Sequence, residues 1–204
     1  MKVIQINPSN SVYSSNAYLV LGSWNTIDDM NTLVDVGNDP AMVDTICTVH
    51  TGLGKRKVER VILTHCHSDH VGNLERIRTA FQPEICAFSP HIRSIDRLLK
   101  DGDILRLGDQ WFEVIHVPCH SDDSILLYNP DEGILFGGDT PLVIRYPGGT
   151  YDKRFIQILE NLTTRDIKTI FFGHDEPLRD DVRKTLLCSL QNATLSSNEG
   201  QPRP

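Results

Sequence analysis

Residues 64–73 read Thr-His-Cys-His-Ser-Asp-His-Val-Gly-Asn. Three of the chain's eight histidines and an aspartate fall between His65 and His70. The stretch follows an apolar run, Arg60-Val61-Ile62-Leu63, and precedes residues 70–80, where the pattern predicts a helix. In an extended chain, residues two apart point the same way, so His65 and His67 share a side and Cys66 takes the other. Asp69 and His70 come at the turn into the helix and can face a second, adjacent position. Neutral imidazole and carboxylate are ligands for Zn²⁺ and similar divalent ions.

One loop supplies too few ligands for a metal site, and further candidates recur after later apolar runs. His120 follows a strand ending at Val117 and the Pro118 turn. Asp139 follows Leu135-Phe136-Gly137-Gly138, and His174 follows Ile170-Phe171-Phe172-Gly173. Polar groups placed just past strand ends can converge on one edge of a sheet.

Outward from these stretches, strands are predicted at 3–6, 17–21, 32–36, 60–64, 103–107, 111–117, 124–128, 133–136 and 168–172. Helices are predicted from Asp39-Pro40, over 70–80, from Ser89-Pro90 (carrying Ile92, Ile95, Leu98 and Leu99), over 152–162 and over 182–190. Two runs of strands with intervening helices imply an α/β protein with two sheets back to back and helices outside both. Residues 1–195 read as a single domain and 196–204 as a disordered tail.

Composition narrows the function classes. The net charge is −7, and the one basic cluster, Lys55-Arg56-Lys57, is short, so nucleic acid is not an expected partner. No run approaches a membrane span and the N-terminus does not read as a signal peptide. Five cysteines without a CxxC pair argue for a reducing, cytoplasmic setting. Cys47, Cys86 and Cys188 read as core, and Cys66 and Cys119 as small buried apolar groups. Asp123 reads as a solvated carboxylate.

The series THCHSDH, HVPCH, GGDT and FGH, with LVDVG at 33–37, resembles the metallo-β-lactamase superfamily from about Tyr18 to His174. The resemblance implies a four-layer αββα sandwich and a two-metal site. His65, His67 and His120 would hold the first ion, and Asp69, His70 and His174 the second. Asp139 would bridge them, and Asp35 would support the loop. The ions would be Zn, with Fe or Mn as alternatives. The closest pattern is that of single-domain relatives of type II glyoxalases. This implies a binuclear metal-dependent hydrolase in which a bridging hydroxide attacks a small-molecule substrate, such as the thioester of an acylglutathione. Asp69, Asp139 and Tyr151 are the expected catalytic residues, with Arg145 and Tyr146 also facing the substrate. The alternatives are a mononuclear iron persulfide dioxygenase using His65, His120 and Asp139, and a lactonase or RNA-processing nuclease of the same fold. A homodimer is an open assembly. Cys119 and Asp123 stand where the family usually has glycine, which implies an altered loop around His120.

Overall fold

The computed structural model describes residues 1–9, 11–92 and 95–199. Eleven strands and five helices are formed among them. The first sheet contains β1 (Lys2–Ile6), β2 (Ala17–Leu21), β3 (Thr32–Val34), β4 (Arg60–Leu63), β5 (Glu84–Ala87) and β6 (Arg97–Leu98), in that spatial order. The second contains β7 (Ile104–Leu107), β8 (Gln110–His116), β9 (Ile125–Asn129), β10 (Ile134–Gly138) and β11 (Thr169–Phe172), also as neighbours in sequence order. β3 to β6 run parallel, joined through α1 (Ala41–Thr48), then α2 (Ser68–Val71) and α3 (Leu74–Phe81). β7 to β10 are antiparallel, and β11 joins β10 in parallel after α4 (Lys153–Thr164). α5 (Val182–Glu199) closes the chain.

Period-two alternation assigns each strand's side chains to two cores. On β2, Ala17, Leu19 and Leu21 join the outer core under α1 and α3, while Tyr18 and Val20 face the second sheet. On β9, Ile125 and Leu127 face inward, and Leu126 and Tyr128 join the core beneath α4 and α5. Between the sheets, the rings of Tyr18, Phe136 and Phe171 pack at centroid distances of 5.0–5.5 Å, Phe136 stacked on Phe171 and Tyr18 tilted against both. β2, β3, β5 and β9 thus carry buried apolar groups on both faces, in keeping with their near-continuous apolar runs. The result is the expected αββα sandwich.

Helix boundaries follow local chemistry. The Asp152 carboxylate accepts the Phe155 amide at 2.7 Å and starts α4, which buries Phe155, Leu159 and Leu162. The Asp39 carboxylate accepts the Ala41 amide at 3.0 Å, and α1 begins at Ala41.

Three expectations give way. The helix expected from Ser89 is absent from the described residues of that stretch. Arg97–Leu98 instead pairs in parallel with Cys86–Ala87. Leu98 is exposed, and Leu99 is buried between the sheets. The final helix runs to Glu199, past Ser196 where the tail was expected to begin, and residues 200–204 lie outside the described residues. Of the three cysteines read as core, only Cys86 is buried; Cys47 and Cys188 are exposed.

Candidate metal centre

β4 ends at Leu63, the chain bends at Thr64, and His67, with a φ of −66° and a ψ of 144°, precedes α2. This loop is held by Asp35, just past the end of β3. The Asp35 amide donates to the Ile62 carbonyl at 2.9 Å. Its Oδ1 accepts the Thr64 amide, and its Oδ2 accepts the Thr64 hydroxyl, both at 2.8 Å. The same Oδ2 lies 2.8 Å from His70 Nδ1. Asp35 takes a left-handed φ of +56°, a conformation in which aspartate is enriched among non-glycine residues. One carboxylate therefore fixes both ends of the motif.

In the neutral ring, the form that binds a metal, the bond to Asp35 puts the His70 proton on Nδ1 and leaves Nε2 as a lone-pair donor. Thr64 Oγ1 lies 3.1 Å from His65 Nδ1 while giving its own proton to Asp35. His65 is thereby set in the same tautomer, again with Nε2 free.

The structure brings all seven predicted ligand residues together in two adjoining groups. One is His65, His67 and His120; the other is Asp69, His70, Asp139 and His174, and in each the donor atoms lie within 4.8 Å of one another. His67 Nδ1 faces His120 Nε2 at 2.8 Å. His174 Nε2 lies 2.9 Å from Asp69 Oδ2 and 3.3 Å from Asp139 Oδ2. His70 Nε2 is 3.2 Å from Asp139 Oδ1. Asp139 also reaches the first group, with Oδ2 3.6 Å from His120 Nε2 and 4.0 Å from His65 Nε2. Among the described residues it is the one carboxylate within 4.0 Å of histidines in both groups.

The residues present fit divalent ions. His65 Nε2, His70 Nε2 and Asp139 Oδ1 are buried and have no hydrogen-bond partner. Unpartnered buried polar atoms are costly and rare, and here three aim into one cluster. Donors that each sit about 2.0–2.2 Å from a shared zinc ion lie within roughly 4.4 Å of one another, a range that holds the 2.8 Å between His67 and His120 and the 2.9 and 3.3 Å from His174 to Asp69 and Asp139.

Without metal, the cluster's charges distort its own titration. Burial and the nearby His70 cation push His65 down to about 4. Burial also works against a charged His70, but the Asp35 and Asp139 carboxylates outweigh it and lift His70 to about 10. Burial raises Asp139, yet the cationic His70 3.2 Å away, with the charges of His174 and His65, brings it down to about 2.

Close packing brings the second group together. A Cβ on Gly173 would stand 2.1 Å from Asp139 Oδ1 and 2.7 Å from His70 Cε1, so only glycine lets β11 approach this closely. A cavity of about 290 Å³ opens beside Asp139, His120 and His174, with Pro141, Val143 and Phe172 on its wall. Arg145, Tyr146 and Tyr151 do not line it. Arg145 and Tyr146 are exposed, and Tyr151 is half-buried with its ring 5.5 Å from that of Phe155.

Asp123 is buried, not solvated. Its Oδ1 accepts the Ser121 hydroxyl at 2.7 Å, and it lies against the Cys66 thiol, whose pKa is raised by burial and by this carboxylate. Cys66 is exposed and Cys119 half-buried, where both were expected to be buried. His116 stays outside the cluster, stacked on Phe88 at 4.0 Å with Nε2 donating to the Asp122 carbonyl. Two neighbours went unnoticed in the sequence. Thr64, adjacent to the first histidine, was the more findable. Tyr13, whose ring stacks on His174, carries no local signal.

A family profile for the metallo-beta-lactamase superfamily matches residues 11–174, and the chain belongs to that superfamily. It is 29% identical over 153 residues to a hydroxyacylglutathione hydrolase of Rhodopseudomonas palustris (strain BisB5), covering 71% of this chain and 59% of that protein. The chain thus spans about three-fifths of the length of this curated relative. The crystal structure of ETHE1 from Myxococcus xanthus superposes with a TM-score of 0.73 at 23% identity, covering 100% of this chain and 93% of that one. A second, TTHA1623 in a di-iron-bound form, gives 0.66 at 22% identity, covering 94% and 98%.

Proposed function

We propose that the protein is a binuclear metal-dependent hydrolase acting on the thioester of an acylglutathione. The observation that carries the reading is Asp139, a carboxylate within 4.0 Å of histidines in both groups, surrounded by buried nitrogens that lack partners. In this reading His65, His67 and His120 would hold one ion, Asp69, His70 and His174 the other, and Asp139 would serve both. Two divalent ions bound there would supply Lewis acidity for activating water and for stabilising developing negative charge.

The chain's own residues set up that chemistry. Asp35 and Thr64 hold His65 and His70 in the donor tautomer. Asp69 and Asp139 offset cationic charge. The cavity wall at Pro141, Val143 and Phe172 offers an apolar surface to a small acyl group. The relatives' name, hydroxyacylglutathione hydrolase, supports the thioester as substrate class. A small molecule suits the −7 charge better than a polyanion does, and Asp175 on the cavity wall adds to that preference. Zinc as the ion and a reducing, cytoplasmic compartment belong to the same proposal, and five free thiols agree with the latter.

A second reading, the mononuclear iron persulfide dioxygenase, draws on the convergence of His65, His120 and Asp139. The two separate in one experiment. The purified protein is given an S-(2-hydroxyacyl)glutathione, with released thiol measured, and glutathione persulfide, with dissolved oxygen measured. Thiol release without oxygen uptake supports the hydrolase. Oxygen uptake without thioester cleavage overturns it.

A further inference from the structure

The segment between β1 and β2 is tied to both halves of the metal centre. The Ser15 amide donates to the Asp69 carbonyl at 3.1 Å, and the Asn16 amide to the Gly173 carbonyl at 2.7 Å. Asn16 Nδ2 donates to the Asp175 carbonyl at 3.2 Å. On the other side, Ser14 Oγ accepts the Asn38 amide at 2.8 Å. The residues that follow Tyr13 are thus bonded to the loops that carry Asp69 and His174.

Held this way, Tyr13 lays its ring parallel to the His174 imidazole, at 5.1 Å and 16°. Its hydroxyl is 3.5 Å from His174 Nε2, which is itself 2.9 Å from Asp69 Oδ2. The residue is 73% exposed, so core packing does not explain its position. A rigidly based, exposed phenol beside the second group of donors has the properties of a substrate contact: an aromatic wall with a hydrogen-bond donor at its tip.

We propose that Tyr13 is a further catalytic residue, whose hydroxyl donates a hydrogen bond to the oxyanion that develops on the substrate carbonyl. The assignment to hydrolysis rests on the function proposed above. In that reaction the oxygen of water bonds to the thioester carbon as the C=O π pair moves onto oxygen. That pair then re-forms the carbonyl, the C–S bond breaks with its electrons on sulfur, and the products are carboxylate, thiol and a proton. Tyr13 keeps its own proton throughout, so the step needs no co-reactant. Its donor strengthens as charge builds on the carbonyl oxygen, which is what distinguishes catalysis from uniform binding.

The test compares Tyr13→Phe with the wild type, both loaded with zinc. Acetohydroxamic acid serves as an oxyanion-bearing probe, with its affinity measured by calorimetry and metal content by elemental analysis. The Phe variant should keep its zinc, bind the probe about tenfold more weakly, and lose about ten- to a hundredfold in kcat on the thioester with little change in KM. Unchanged probe affinity overturns the proposal. So does loss of zinc, which would make Tyr13 a support for His174. If the wild type does not cleave the thioester, the proposed function fails, while the probe affinities still decide whether Tyr13 faces an oxyanion.

Discussion

Gly173→Ala is the sharpest perturbation of the site that leaves every ligand side chain in place. The glycine is not in the left-handed region, so its backbone accepts alanine. The obstacle is the added methyl group, placed 2.1 Å from Asp139 Oδ1 and 2.7 Å from His70 Cε1. Ordinary carbon contacts begin near about 3.5 Å, so Oδ1 must retreat by about 1.4 Å. That carboxylate now stands 3.2 Å from His70 Nε2 and 3.3 Å from His174 Nε2, and any retreat of this size breaks the convergence. Displacements of about 1 Å in a catalytic group cost roughly a hundredfold in rate, so turnover should fall at least that far. Overpacking should cost the metal-free fold about 1–3 kcal/mol, leaving it folded. Circular dichroism checks the fold, elemental analysis the metal and thiol release the rate. A folded alanine variant with wild-type metal content and rate would refute the assignment of Asp139 as the shared group.

Other outcomes follow from the same geometry. Asp35→Asn should be tolerated at its φ of +56° but must turn an amide N–H towards Thr64 or His70, both donors. Metal affinity, measured by chelator competition, should fall about ten- to a hundredfold. The metal-free protein should show a stability maximum near pH 6.5 in thermal melts. His65 has its folded value lowered from 6.5 to about 4, so stability is lost as pH falls across that window. His70 has its folded value raised from 6.5 to about 10, so its contribution is complete below 6.5 and lost as pH rises to 10. Asp139, lowered from 3.8 to about 2, removes a further contribution as pH falls towards 2. A melting temperature that is flat from pH 4 to 10 would contradict this.

What was legible in the sequence and what was not divide along physical lines. The ligand residues could be found because each follows an apolar strand, and strand ends on one edge converge. β2 and β9 were visible as apolar runs bounded by turn residues. Residues 92–99 misled because Ile92, Ile95, Leu98 and Leu99 have helical spacing. They go to different places: Ile92 and Ile95 pack on the outer core, Leu98 is exposed, and Leu99 enters the space between the sheets. Tertiary partners, absent from local periodicity, decide that stretch. β5 is only four residues, Glu84–Ala87, and has no alternation to reveal it. Asp123 looks like any loop carboxylate, and its burial depends on the turn around His120. Tyr13 meets His174 across 161 positions of sequence, a contact set only by the assembled loops.

The central claim is that two ions share Asp139. Elemental mass spectrometry on protein purified without added metal tests it most directly, with His67→Ala alongside. About two divalent ions per chain are expected in the wild type, with loss of both loading and turnover in the variant. A single iron per chain, or a His67→Ala protein with full metal and full activity, would contradict it.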